Sequence, residues 1–177
     1  MKVGLIRHFK VERGYPNKWV TSKDLIKWIS EYDQSEVIEN EIDLGDVKWQ
    51  RCYCSDLSRA VKTAKKVYKD DIVYLKELRE VKLSPVIRWN VRLPLLVHLI
   101  FIRGAWLLEH KSQIDRKRDV IKRINVILDK ILQTEENVLI VGHGGIMLFM
   151  SRELKKREFK GPTLKRPANG KLYIYEK

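Results

Sequence analysis

The segment that most restricts the possible folds is Asn137 to Gly145, which reads Asn-Val-Leu-Ile-Val-Gly-His-Gly-Gly. A continuous apolar run of this length, closed by glycines, is the pattern of a strand buried on both faces. The glycines then turn the chain into a helix that the spacing predicts from about Ile146 to Lys156. A strand covered on both faces needs helices above and below it, so the segment points to a layered α/β fold.

The rest of the chain repeats this alternation. Lys2 to Ile6 is a second short apolar run, and it ends in the polar pair Arg7-His8. Phe9 to Thr21 holds Gly14, Pro16 and Asn17 and reads as a loop. Thr21 or Ser22 can cap a helix over Lys23 to Glu31, with Leu25, Trp28 and Ile29 expected to face inward. The acidic stretch Tyr32 to Asp46 fits either a broken helix or an edge strand. Val47 to Cys54 resembles a strand, with Ser55 as the expected cap of a helix starting at Asp56. Leu57, Ala60, Val61, Ala64, Val67 and Tyr68 recur along it at helical spacing. A short strand at Asp71 to Leu75 precedes a turn at Ser84-Pro85. A helical region is expected from there to about His110, interrupted at Pro94. Ile114 to Leu132 is amphipathic, and Leu172 to Tyr175 has an edge-strand pattern. The expected architecture is a three-layer α/β/α sandwich with a mostly parallel central sheet. No repeat or linker divides residues 1–177, so one domain is expected.

The charge narrows the partner. Thirty-six Lys and Arg against 23 Asp and Glu leave a formal charge of +13, which concentrates anions near the surface. The basic residues are scattered rather than striped with aromatics, which argues against nucleic acid. The apolar stretch Pro85 to Leu108 is interrupted by Arg88, Arg92, His98 and Arg103, so it falls short of the roughly 20 apolar residues of a membrane span. The two cysteines, Cys52 and Cys54, are one residue apart, too close for a loop-closing disulfide and too few for a metal site. They read as small buried residues in a reducing compartment, the cytoplasm.

In open α/β sheets ligands bind beyond the carboxyl ends of the strands. The residues at those ends are Arg7 and His8 after the first strand, then Ser55, Asp56 and Arg59 after the second. Glu77, Arg79 and Glu80 follow the third, and His143 the fourth. Each has an ordinary explanation alone: a histidine after a strand is usually a structural hydrogen-bonder, and a glutamate usually a solvated acid. Arg59 near a helix start opposes the helix dipole and therefore asks for a reason. Convergence of imidazoles and guanidinium groups on one crevice suits a phosphate, since arginine offers its oxygens a planar fork of donors.

These residues also carry a resemblance. Leu-Ile-Arg7-His8, then Ser55-Asp56-Leu57-Ser58-Arg59-Ala60 with Thr63-Ala64, then Leu78-Arg79-Glu80, and finally Val141-Gly142-His143-Gly144-Gly145 resemble, in order, the signatures of the histidine phosphatase superfamily. The resemblance implies a phosphoglycerate-mutase-like fold and phosphatase chemistry that needs neither metal nor cofactor. It implies that His8 attacks phosphorus and that Arg7, Arg59 and His143 hold the phosphoryl group. Glu80, with Glu77 as its substitute, is implied as the acid that protonates the leaving oxygen. The amides at Gly144 and Gly145, opening a helix, are expected to add donors to the anion. Asn17 is the candidate for an asparagine that the family places near the substrate. Phe9 stands where the family has glycine, which predicts a looser loop there. The expected partner is a small anionic phosphorylated substrate.

Two other readings fit parts of this pattern. One is a phosphoglycerate-type mutase, although such mutases are generally longer. The other is a non-catalytic anion-binding or membrane-surface module on the same fold, motivated by the cationic apolar stretch Arg88 to Trp106. A helical cover over the substrate crevice is the competing account of that stretch.

Overall fold

The computed structural model describes residues 1–87 and 91–177. Among them, five strands form the main sheet: β1 (Lys2–Arg7), β5 (Arg51–Ser55), β6 (Ile72–Leu75), β8 (Val138–Gly142) and β9 (Leu172–Glu176), in the order β6-β5-β8-β1-β9. β5, β6, β8 and β1 are mutually parallel, and β9 closes the edge antiparallel to β1. Two small ribbons flank the sheet, one of β2 (Lys10–Val11) with β4 (Val37–Ile38), the other of β3 (Trp19–Val20) with β7 (Leu93–Pro94). The helices are α1 (Ser22–Gln34), α2 (Ser58–Val67), α3 (Leu95–Leu107), α4 (Lys117–Leu132) and α5 (Gly144–Lys156).

The period of two along each strand sorts the side chains into two cores. Val3, Leu5, Tyr53, Val138 and Ile140 face α4 and α5, where Ile124, Leu128, Met147 and Met150 complete one cluster. Ile6, Cys52, Cys54, Leu139 and Val141 face the other way and meet Ala60 and Ala64 of α2. The sheet is thus sandwiched between helices, the three-layer arrangement that the apolar runs predict. The two cysteines share a face and are buried free thiols.

Local chemistry corrects three expectations. α1 is capped by Thr21, whose hydroxyl accepts from the Asp24 amide while Asp24 returns a bond to the Thr21 amide. Leu25 is buried, but Ile29 is exposed and turned away from the core. The stretch after Ser84-Pro85 is not helical as far as Ile87. Arg88, and with it the start of the cationic apolar stretch, lies outside the described residues, and the helix α3 begins only after Pro94. Proline has no amide hydrogen to donate to a preceding turn, so it stands outside the helix as its N-cap. Ser55 does not cap α2; Leu57 is the N-cap residue and makes no side-chain cap bond. The serine hydroxyl is engaged elsewhere, as described below. The acidic stretch after Tyr32 finishes α1, passes through β4 and then runs without regular structure to β5.

Candidate active site

Because β5 and β1 lie on either side of β8, the ends of all three strands bring their following residues to one place. The rings of His8 and His143 lie 5.1 Å apart, centre to centre, both buried. His8 Nδ1 is 2.6 Å from the carbonyl oxygen of Phe9. A carbonyl only accepts, so Nδ1 carries the proton and Nε2 keeps its lone pair. His143 Nε2 lies 2.9 Å from Ser55 Oγ, and its Nδ1 is buried without a partner.

Two guanidinium groups complete the cluster. Arg7 donates from Nη1 to the Pro167 carbonyl at 2.8 Å, and Arg59 from Nη1 to Asp33 Oδ1 at 2.6 Å. The Nε of each is buried and, among the described residues, without a partner. Arg59 also lies over the ring of Tyr32, 5.3 Å from its centre. Buried donors left unmatched are costly in a protein interior, and three such nitrogens, Arg7 Nε, Arg59 Nε and His143 Nδ1, describe a socket for an anion. Burial, reinforced by the charges of Arg59 and Arg7, overrides the Phe9 hydrogen bond and lowers the His8 pKa to about 3. Burial, then the charges of His8, Arg59, Arg7 and Arg123, holds His143 well below its ordinary value. Both imidazoles are neutral at physiological pH.

Glu80 approaches from the end of β6, beyond the short 3-10 turn Lys76–Leu78. Its carboxylate accepts from the amides of Gly145 at 3.0 Å, Ile146 at 3.2 Å and Val81 at 3.0 Å. The start of α5 therefore receives this carboxylate, and the Gly145 amide expected to meet a phosphate meets Glu80 instead. Gly144 contributes space: a Cβ there would stand 3.3 Å from the Arg7 Cζ. Glu77 is exposed and apart from the cluster, whereas Glu80 lines the crevice beside it. Arg79 engages Asp56 in a two-pronged pair at 2.6 Å on each prong. Asn17 is exposed and sits in a different depression, with Arg13, Trp19 and Glu31, so the fold does not bring it to the histidines.

Several contributors escape a reading of the sequence. Asn169 donates from Nδ2 to the carbonyls of His8 at 2.8 Å and Phe9 at 3.3 Å. Thr63 Oγ1 accepts from the Phe9 amide at 2.9 Å and donates to the Arg59 carbonyl at 2.8 Å. Together they fix the loop after His8, and the Phe9 side chain is fully buried. The loop is pinned through the Phe9 backbone despite the missing glycine. Only Thr63 left a trace in the sequence, as part of the second signature. Among the described residues, no group of three or more His, Cys, Asp or Glu is placed to hold a metal ion.

Comparison with known proteins bears on the fold and the family. A putative alpha-ribazole-5'-P phosphatase from Escherichia coli superposes with a TM-score of 0.62 at 17% identity, covering 98% of this chain and 89% of its own. A mycobacterial glucosyl-3-phosphoglycerate phosphatase gives 0.62 at 19% identity, covering 98% and 88%. Bacillus stearothermophilus YhfR gives 0.59 at 17%, covering 98% and 89%. At such identities the likeness is one of fold. No curated protein sequence matches. The family model "Histidine phosphatase superfamily (branch 1)" matches residues 34–176, a span that holds Arg59, Glu80 and His143 and leaves His8 to be placed beside them by the sheet. With that match over most of its length and the fold of the neighbours, the chain belongs to the histidine phosphatase superfamily.

Proposed function

We propose that the protein is a phosphatase that hydrolyses a phosphate monoester through a phosphohistidine on His8, without a metal. The observation that carries the reading is the neutral His8 ring, with Nδ1–H bound to the Phe9 carbonyl and Nε2 unprotonated beside Arg7 and Arg59. The names of two of the neighbouring folds, an alpha-ribazole-5'-P phosphatase and a glucosyl-3-phosphoglycerate phosphatase, support it.

In the first step Nε2 of His8 bonds to phosphorus as the ester P–O bond breaks, and Glu80, which must enter this step protonated, gives its proton to the departing oxygen. In the second, Glu80 takes a proton from water, whose oxygen bonds to phosphorus as the N–P bond breaks. Inorganic phosphate leaves and neutral His8 returns. Arg7, Arg59 and the partnerless Nδ1 of His143 offset charge on the equatorial oxygens, the main demand of phosphoryl transfer. Ser55 donates to Nε2 of His143, which leaves a proton on Nδ1 to face the anion. Hydrolysis of p-nitrophenyl phosphate tests the scheme. His8→Ala lowers kcat roughly 10⁴-fold or more, and a chelator leaves the wild-type rate unchanged. Undiminished turnover by His8→Ala refutes the phosphohistidine, and loss of activity to chelator refutes the metal-free route. Isomerisation of phosphoglycerate in place of phosphate release would favour the mutase reading.

A second reading adds a location. The outward face of α3 is apolar and exposed at Leu96, Leu99, Ile100 and Leu107, with Arg103 among them and Arg92 and Lys111 beyond its ends. We assign this face to an anionic membrane surface, on which the enzyme lies without crossing it. No helix among the described residues is long and apolar enough to span a bilayer. The cytoplasmic side is proposed for this contact, in keeping with Cys52 and Cys54 as buried free thiols.

A further inference from the structure

We infer that the leaving group of the substrate is a bulky apolar alcohol, aryl or long-chain alkyl, seated in the crevice beside His8; the inference rests on the phosphatase reading. The crevice has a volume of about 880 Å³ and is continuous with the catalytic cluster through Arg59 and Glu80, which form part of its wall. Its remaining lining is dominated by Ile26, Ile29, Leu57, Val81, Leu83 and Ile87. Ile26 is 59% exposed and Ile114, at the same crevice, 68%. Among the described residues, nothing covers these large aliphatic side chains. An apolar ligand would cover them, which is the usual role of such a lining.

Several polar groups of the crevice are already engaged within the protein. Ser22 Oγ donates to the Ile87 carbonyl, and Ser112 Oγ bonds His110 Nδ1 at 2.9 Å and Gln113 Nε2 at 3.1 Å. Arg79 is bound to Asp56. The lysines of the lining, Lys23 and Lys82, are exposed, where water screens them. A sugar or glycerate entering here would exchange its bonds to water for few from the protein.

The same contacts show that the crevice is built before any ligand arrives. The side chain of buried Gln113 accepts from the Ser84 amide at 3.1 Å and donates to the Ser84 carbonyl at 2.9 Å, and Asp115 accepts from the Lys82 amide at 2.9 Å. The segment Val81 to Ile87 is thereby tied to the segment after α3, and through Ser22 to α1. Little reorganisation is needed for binding.

Four esters of primary alcohols, alike in intrinsic reactivity, provide the test: octyl phosphate, 2-(1-naphthyl)ethyl phosphate, glycerol 3-phosphate and glucose 6-phosphate. The expected kcat/KM for at least one of the first two exceeds that for both polyol esters by about 10-fold or more, the discrimination typical of an apolar pocket. Which of the two leads separates an alkyl from an aryl occupant. In the double variant Ile26→Asn/Ile29→Asn the ratio of apolar to polyol kcat/KM falls about tenfold, a ratio internal to each protein preparation. Equal or reversed preference in the wild type, or an unchanged ratio in the variant, overturns the inference and leaves the phosphatase reading standing. Failure to hydrolyse all four esters and p-nitrophenyl phosphate overturns that reading, and this one with it.

Discussion

At the scale of single residues, His8 is held unprotonated by burial and by two guanidinium charges, and this has a consequence for stability as well as chemistry. In the unfolded chain the imidazole titrates near its ordinary value of about 6.5; in the fold it does so near 3. The unfolded state therefore binds the extra proton first as acid is added. Stability from a neutral His8 is complete above about pH 6.5 and is lost as pH falls from there toward 3, and His143 acts in the same direction. The expected result is that the ring-carbon protons of His8 do not shift between pH 8 and 5 in NMR spectra, while the denaturant midpoint falls as pH drops below 6.5. A His8 resonance that titrates near 6.5 would contradict the buried, cation-flanked ring. Residues of this kind were legible in the sequence because histidine and arginine are conspicuous after apolar runs. Asn169 and Asp33 were not, since one serves a backbone carbonyl and the other an arginine far along the chain, and neither task leaves a local pattern.

At the scale of elements, the central strands β1 and β8 were the easiest to read, because burial on both faces writes itself as an unbroken apolar run, whereas the two-residue ribbon strands left no such mark. Helix ends were harder. α5 begins at Gly144 rather than Ile146, because glycines that look like a turn can also open a helix against which other groups pack closely. Gly145 shows why. A Cβ at this position would lie 2.5 Å from Glu80 Oε1, an oxygen also bound by the Val81 and Ile146 amides. Its φ is not in the positive range, so alanine strains no backbone there, and alanine favours a helix over glycine. Gly145→Ala therefore displaces the carboxylate without unfolding the helix. The expected outcome is a thermal midpoint at or near that of the wild type with kcat lowered about 10²-fold, the lower range for losing general acid assistance. The loss should shrink for p-nitrophenyl phosphate, whose leaving group needs little protonation. Full activity toward alkyl esters would show that Glu80 is not the acid.

At the scale of the whole molecule, the sum of charges was plain in the sequence but its relation to α3 was not. Of the stretch expected as a helical cover, the described helix α3 does not line the crevice; it is anchored by His98, whose Nε2 meets the Val20 carbonyl at 3.0 Å, and by Trp106 against the Asp115 carbonyl and the Phe149 ring. Those bonds turn Leu96 and Ile100, 67% and 60% exposed, toward solvent. A helix of 13 residues presents a face roughly 20 Å long. An apolar face of that length on a molecule of charge +13 has two favourable terms at an anionic bilayer, burial of its side chains and attraction of its cations. The face would also bring the segment after α3, which supplies Ser112 and Ile114 to the crevice, close to a store of amphiphilic phosphates. In flotation at physiological salt the protein should rise with phosphatidylglycerol-rich vesicles and stay behind with phosphatidylcholine alone. Leu96→Glu/Ile100→Glu should abolish flotation while p-nitrophenyl phosphate hydrolysis, whose groups lie on other elements, persists. If the wild type remains in the bottom fraction and sediments as a dimer that the double variant splits, the apolar face belongs to a second copy of the chain and the membrane assignment is wrong.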